Sequence, residues 1–102
     1  VLWGKGEEMN KSIVVTRHPA LVTYLIEIGL VPEGTPIVAH ATVDDVMGKN
    51  VFGVLPLRLA VHARRVIEVP LDIPAEMRGV ELTLEQVREY ASTPVAYIVQ
   101  FA

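Results

Sequence analysis

The sequence predicts a three-layer α/β domain built around a mostly parallel central sheet, and three observations carry that prediction. Short runs rich in Val and Ile are apolar on both faces, as strands covered by helices on two sides must be. A proline or a capping-box pair stands where the following helix would begin. Segments of about ten residues with apolar spacings of three and four separate the runs, which is the grammar of right-handed βαβ units.

The first run, SIVVT at residues 12–16, reads as the central strand. Pro19 then takes the first helical position, and Leu21, Leu25 and Ile28 recur until Gly29 closes the helix, which leaves His18 at a strand-to-helix turn. Pro32, Gly34 and Pro36 make a turn, and IVAHA at residues 37–41 reads as a second strand. Residues 42–49 are polar and form a short helix or loop, capped by Thr42 or Asp44 and ended by Gly48. VFGVL at residues 51–55 is the third strand. Pro56 again falls at a helix start, with Leu57, Ala60 and Val61 as its buried face. RVIEV at residues 65–69 alternates more and reads as a fourth strand, and the Pro-bounded residues 70–74 as a surface loop. Thr83 with Gln86 three residues on is a capping box, and Leu84, Val87 and Ala91 give the helix an apolar stripe that Pro94 stops. Residues 95–101 are the last strand.

Composition narrows the function. The chain has 102 residues, 51% of them hydrophobic and 21% charged, with a mean hydropathy of +0.39. That suits one small folded domain, and no apolar run is long enough to span a bilayer. The absence of cysteine excludes disulfide scaffolds, thiol catalysis and thiolate zinc sites, and fits a cytoplasmic location. No signal peptide is visible. Nine Lys and Arg against twelve Asp and Glu leave a charge of -3, too few cations to coat duplex nucleic acid. Residues 1–8, VLWGKGEE, lack a clear period and precede a Met-Asn-Lys that resembles a translation start. They read as an N-terminal extension or vector-derived sequence, with residues 9–102 as the single domain.

In a parallel α/β sheet, ligands bind at the carboxyl ends of the strands. His18, Thr42 and Pro56 fall at such ends. Thr16, Arg17 and His18 bring together a hydroxyl, a permanent cation and an imidazole where a strand opens into a helix N-terminus, a place that favours anions. Arginine offers phosphate a planar fork, and imidazoles exchange protons near neutral pH. The plainer alternative makes His18 a helix cap and Arg17 a solvated side chain. His40, in an apolar run, suits a hydrogen-bonded structural role as well as a ligand contact. Arg58, in the first turn after Pro56, either clamps a second phosphate or extends into solvent. His62 stands beside Arg64 and Arg65, where cations favour a helix end, and has no assigned role. Asp44 and Asp45 are adjacent, point apart on a helix and lack partners at metal-ligand spacing, so no metal and no cofactor are expected. Asp72, Glu76 and Arg78 read as solvated turn residues of a segment that could act as a lid. Gly-rich phosphate loops, nucleophile elbows and zinc signatures are absent.

The succession of VTRHP at residues 15–19, His40, VLP at residues 54–56 with Leu59 and Ala60, LDIPAEMRG at residues 71–79, and Glu81 with Leu82 resembles a known family. It is similar to the small type III CRISPR-associated proteins with a Rossmann-like fold, related to CARF domains, that are identified as ring nucleases acting on cyclic oligoadenylate. The resemblance runs from about Ile13 to Leu82, and the tail from Ser92 onward is less characteristic. It also departs from the family pattern at Ala41 and Thr42, where a polar residue often follows the histidine strand.

The resemblance implies a homodimer whose two-fold axis matches a cyclic tetra-adenylate ring, cut without a metal to linear oligoadenylates with 2′,3′-cyclic phosphate ends. By carry-over onto matching positions, Arg17 would be the phosphate clamp, His18 the general acid or base and Thr16 an orienting hydroxyl. His40, Leu55, Pro56 and Arg58 would line the pocket. Three alternatives remain beside it. A non-catalytic sponge would hold the same messenger intact with the same cations. A histidine phosphatase also shows Arg-His after a strand, but expects Gly where Pro19 stands, and a longer chain. A purely structural partner protein would bind no phosphate ligand.

Overall fold

A computed structural model describes residues 11–102. The reading of residues 1–8 as an extension falls outside the described residues. The strands are β1 (Ser12–Val15), β2 (Ile37–Val38), β3 (Asn50–Gly53), β4 (Arg65–Glu68) and β5 (Val95–Tyr97). The helices are α1 (Pro19–Glu27), α2 (Val43–Val46), α3 (Leu57–Ala60) and α4 (Leu84–Tyr90), with a 3-10 turn over Ala75–Met77. The sheet order is β2-β1-β3-β4-β5. β1 to β4 are parallel, and β5 runs antiparallel to β4.

Period-two alternation splits the apolar strands between two layers. Ile13 and Val15 of β1, Val51 of β3 and Val66 of β4 pack with Val46 of α2 and with Leu59 and Ala60 of α3. Val14, Phe52 and Ile67, their neighbours in sequence, face the other way against Leu25 of α1 and Val31. The sheet is thus sandwiched between α2 and α3 on one face and α1 on the other, a Rossmann-like α/β arrangement. α4 packs beside α1. There Arg88 Nε donates to Glu27 Oε2 at 2.8 Å, and Nη2 donates to Oε1. Those hydrogen bonds hold the Glu27 carboxyl below its ordinary pKa and raise that of Arg88. Among the described residues no helix is long and apolar enough to cross a membrane.

Local signals place the helices. Pro19 opens α1. The Thr42 hydroxyl accepts from Asp45 N and the Thr83 hydroxyl from Gln86 N, and each partner side chain in turn accepts a hydrogen bond from the backbone N–H of its capping threonine. Strand lengths are shorter than the apolar runs. β2 pairs only with β1, through Val14↔Ile37 and Val15↔Val38, so His40 lies beyond the strand rather than within it. β3 stops at Gly53, whose φ of +140° takes the chain out of the ladder, so Leu55 also lies past a strand end. Residues 70–74 are not a free loop: Leu71 bridges Ala91 and Asp72 N donates to Tyr90 O at 2.9 Å. The last strand covers three exposed residues instead of seven.

Candidate functional site

Sheet order decides where a ligand can enter. From β1 the chain crosses to β2 on one side, and from β3 it crosses to β4 on the other, so the two connections diverge. Between them the carboxyl ends of β1 and β3 leave a crevice, the topological switch point of an open parallel sheet. A cleft of about 430 Å3 occupies it. Its walls are Thr16, Arg17 and His18 after β1, Ala39 and His40 after β2, Gly53 and Val54 at the end of β3, and Glu68, Val69 and Leu71 at the end of β4.

The turn that carries Arg17 and His18 is built by its neighbours. His18 N donates to Thr16 Oγ1 at 3.1 Å, the hydroxyl-to-backbone contact that stabilises tight turns. Thr16 therefore orients the loop and keeps its own hydroxyl proton to donate. His18 occupies the N-cap position of α1, yet its side chain makes no capping hydrogen bond, so the imidazole is not spent on the helix. Pro19 has no N–H to satisfy, and the first turn of α1 holds no acidic residue to neutralise its positive end. Arg17 and His18 are both exposed. They also border a second depression of about 440 Å3 reaching under residues 71–82 and a third of about 540 Å3 beside Pro19, Val22 and Ile37. One cation and one imidazole thus stand where three concavities meet.

Gly53 keeps the crevice open. A β-carbon there would sit 2.1 Å from the Val15 carbonyl oxygen, so only glycine lets the end of β3 pass so close to β1.

The sequence candidates distribute unevenly over this geometry. Thr16, Arg17, His18 and His40 line the cleft. Leu55 lines a smaller adjoining depression of about 160 Å3. Pro56 and Arg58 are exposed at the start of α3 and line neither space. Glu68, which sequence reasoning passed over, borders both. Its signal was available: it is the one acidic residue in RVIEV, at the carboxyl end of a buried parallel strand. Among the described residues no three His, Asp or Glu side chains gather as a metal site requires.

Residues 13–100 match the model of a family described as "Putative CRISPR-associated protein (Cas_VVA1548)". No curated protein and no solved structure matches the chain. The family match takes in the sheet from Ile13 of β1 through β5, the β1 tip with Arg17 and His18, and the Glu68 position across the cleft, and on that extent the chain belongs to the CRISPR-associated family Cas_VVA1548.

Proposed function

We propose that this protein is a ring nuclease that binds cyclic tetra-adenylate and cuts it without a metal, ending type III CRISPR signalling. The observation that supports it most is the pairing of Arg17 with His18 at the tip of β1, in the cleft of the topological switch point. In this mechanism the Arg17 guanidinium grips two oxygens of one phosphate and steadies the charge that grows on them. The ribose 2′-oxygen attacks its own phosphorus in line while the bond to the 5′-oxygen breaks. The 2′-hydroxyl loses a proton and the 5′-oxygen gains one, so no water is consumed. The products are a 2′,3′-cyclic phosphate and a 5′-hydroxyl. His18 serves one of those proton transfers, with His40, after the neighbouring strand β2, lining the same cleft. Arg58 meets a second phosphate only on a ligand that extends past the cleft. A ring with four-fold repetition needs two such half-sites, which a homodimer supplies.

A non-catalytic sponge for the same ring is favoured by one feature. Among the described residues no side chain hydrogen-bonds the His18 imidazole to fix its tautomer. Turnover separates the two. Substoichiometric protein incubated with radiolabelled cyclic tetra-adenylate and EDTA should release linear products well beyond one per dimer. A tight complex holding intact ring would establish the sponge instead, and neither binding nor cutting would overturn both.

A further inference from the structure

The cleft continues into the smaller depression on the α3 side of the sheet, since Gly53, Val54 and Glu68 line both. Leu55, Leu57, Val66 and Tyr97 supply most of its remaining wall. Strand pairing accounts for the grouping. Val66 stands opposite Tyr97 and Glu68 opposite Val95, and Val66 packs into the layer of α2 and α3. Residues two apart on a strand share a face, so Glu68, Val66 and Tyr97 all stand on the α3 side. The result is a slot with one aromatic ring, aliphatic walls and one charged group, the Glu68 carboxylate. Among the described residues that carboxylate joins no hydrogen bond or ion pair.

We infer that this slot receives a nucleobase bearing an exocyclic amine, with Tyr97 as the stacking wall and Glu68 as the acceptor for the amine. The identification of that base as adenine rests on the ring-nuclease reading. Charge is the first argument. A carboxylate across a cleft from the phosphate-gripping arginine repels a polyanionic ligand unless it meets a donor, because an ionised carboxylate only accepts hydrogen bonds. An amino-purine edge brings that donor, whereas a phosphate brings none. Shape is the second: flat bases stack on aromatic side chains whatever their sequence, and a sugar hydroxyl has no such use for Tyr97 and its aliphatic neighbours. Spacing is the third. β1 and β4 are two strands apart, about 10 Å, a span one nucleotide bridges from its phosphate at Arg17 to its base at Glu68.

The test deletes the amine from the ligand as well as the acceptor from the protein. In a His18→Ala background, so that rings stay intact, calorimetry compares cyclic tetra-adenylate with the ring in which purine riboside replaces adenosine. With Glu68 present, loss of the amine should weaken binding about tenfold or more, and with Glu68→Leu it should weaken it hardly at all. Tyr97→Ala should weaken both rings about tenfold and Tyr97→Phe neither. Equal affinity for the two rings with Glu68 present overturns the slot and leaves the ring-nuclease reading standing. That comparison needs no change at Glu68, so a misfolded Glu68→Leu does not blunt it. An amine preference that survives in Glu68→Leu also overturns the slot. If the parent protein binds neither ring, the ring reading falls and this inference with it.

Discussion

Arg17 and His18 are neighbours in sequence, but the mechanism asks different things of them. Arg17 meets the phosphate in the ground state and again as charge grows, so Arg17→Ala should raise KM and lower kcat together. His18 moves a proton only as bonds change, so His18→Ala should lower kcat by about 10²- to 10⁴-fold and leave KM nearly untouched. Steady-state kinetics on cyclic tetra-adenylate reads the split, and full activity in both variants would remove the pair from the site. Gly53 acts through the backbone instead. Because a β-carbon there would meet the Val15 carbonyl oxygen at 2.1 Å, with φ at +140°, Gly53→Ala must either strain β3 or push it away from β1. A loss on the order of 2–3 kcal/mol is expected, visible as a lowered melting temperature, and cutting should fail with it since Gly53 floors the cleft.

At the scale of elements, caps and prolines were the legible signals and strand ends were not. Pro19, Thr42 and Thr83 start helices where their sequence context places them, because a missing N–H or a hydroxyl acceptor acts within one turn of chain. Removing one is a local loss: Thr83→Ala deletes the hydrogen bond from Gln86 N and should cost about 1 kcal/mol, read by thermal melting. Strand ends depend on partners far along the chain. IVAHA looks uniformly apolar, yet β2 has one neighbour and pairs over two residues, which moved His40 from strand to loop. Glu68 went unrecognised for the same reason, since only the sheet order brings the end of β4 to the crevice beside Arg17. The ion pair joining α1 to α4 was equally invisible, with Glu27 and Arg88 61 residues apart. Its pH dependence follows from the lowered pKa of Glu27. The pair's contribution is complete above the ordinary glutamate value of 4.5 and is lost as pH falls through the lower folded value. Both side chains are largely exposed, so the effect is small and screened by salt. Glu27→Gln should melt slightly below the parent at pH 7, and the two curves should converge in strong acid or in about 1 M salt.

For the whole molecule, the apolar surface left uncovered has a direction. Val54 is 70% exposed, Leu57 72% and Phe101 78%. Val54 and Leu57 line the depression that Tyr97 and Val99 also wall, and Phe101 lies edge-on to His62, just after α3, at 6.5 Å between ring centroids, so these residues gather on the α3 side of the sheet. Large apolar side chains exposed together on so small a domain are the kind of surface that a second subunit covers. In the ring-nuclease reading that subunit is a second copy, and the two-fold axis sets the two β1 tips against opposite halves of one ring. Light scattering at micromolar concentration should then give twice the 11.2 kDa chain mass. Phe101→Asp is the discriminating variant, because Phe101 contributes to neither buried layer and lines neither the cleft around Arg17 and His18 nor the slot beside Tyr97. It should run as a monomer with the fold intact by circular dichroism, and lose ring cutting although every residue of its own half-site is unchanged. A monomeric parent that still cuts the ring would show that one Arg17 and one His18 suffice, and the two-fold account of ring recognition would have to be abandoned. A dimeric parent whose Phe101→Asp variant stays dimeric and active would move the interface away from the part of the α3 side that Phe101 occupies.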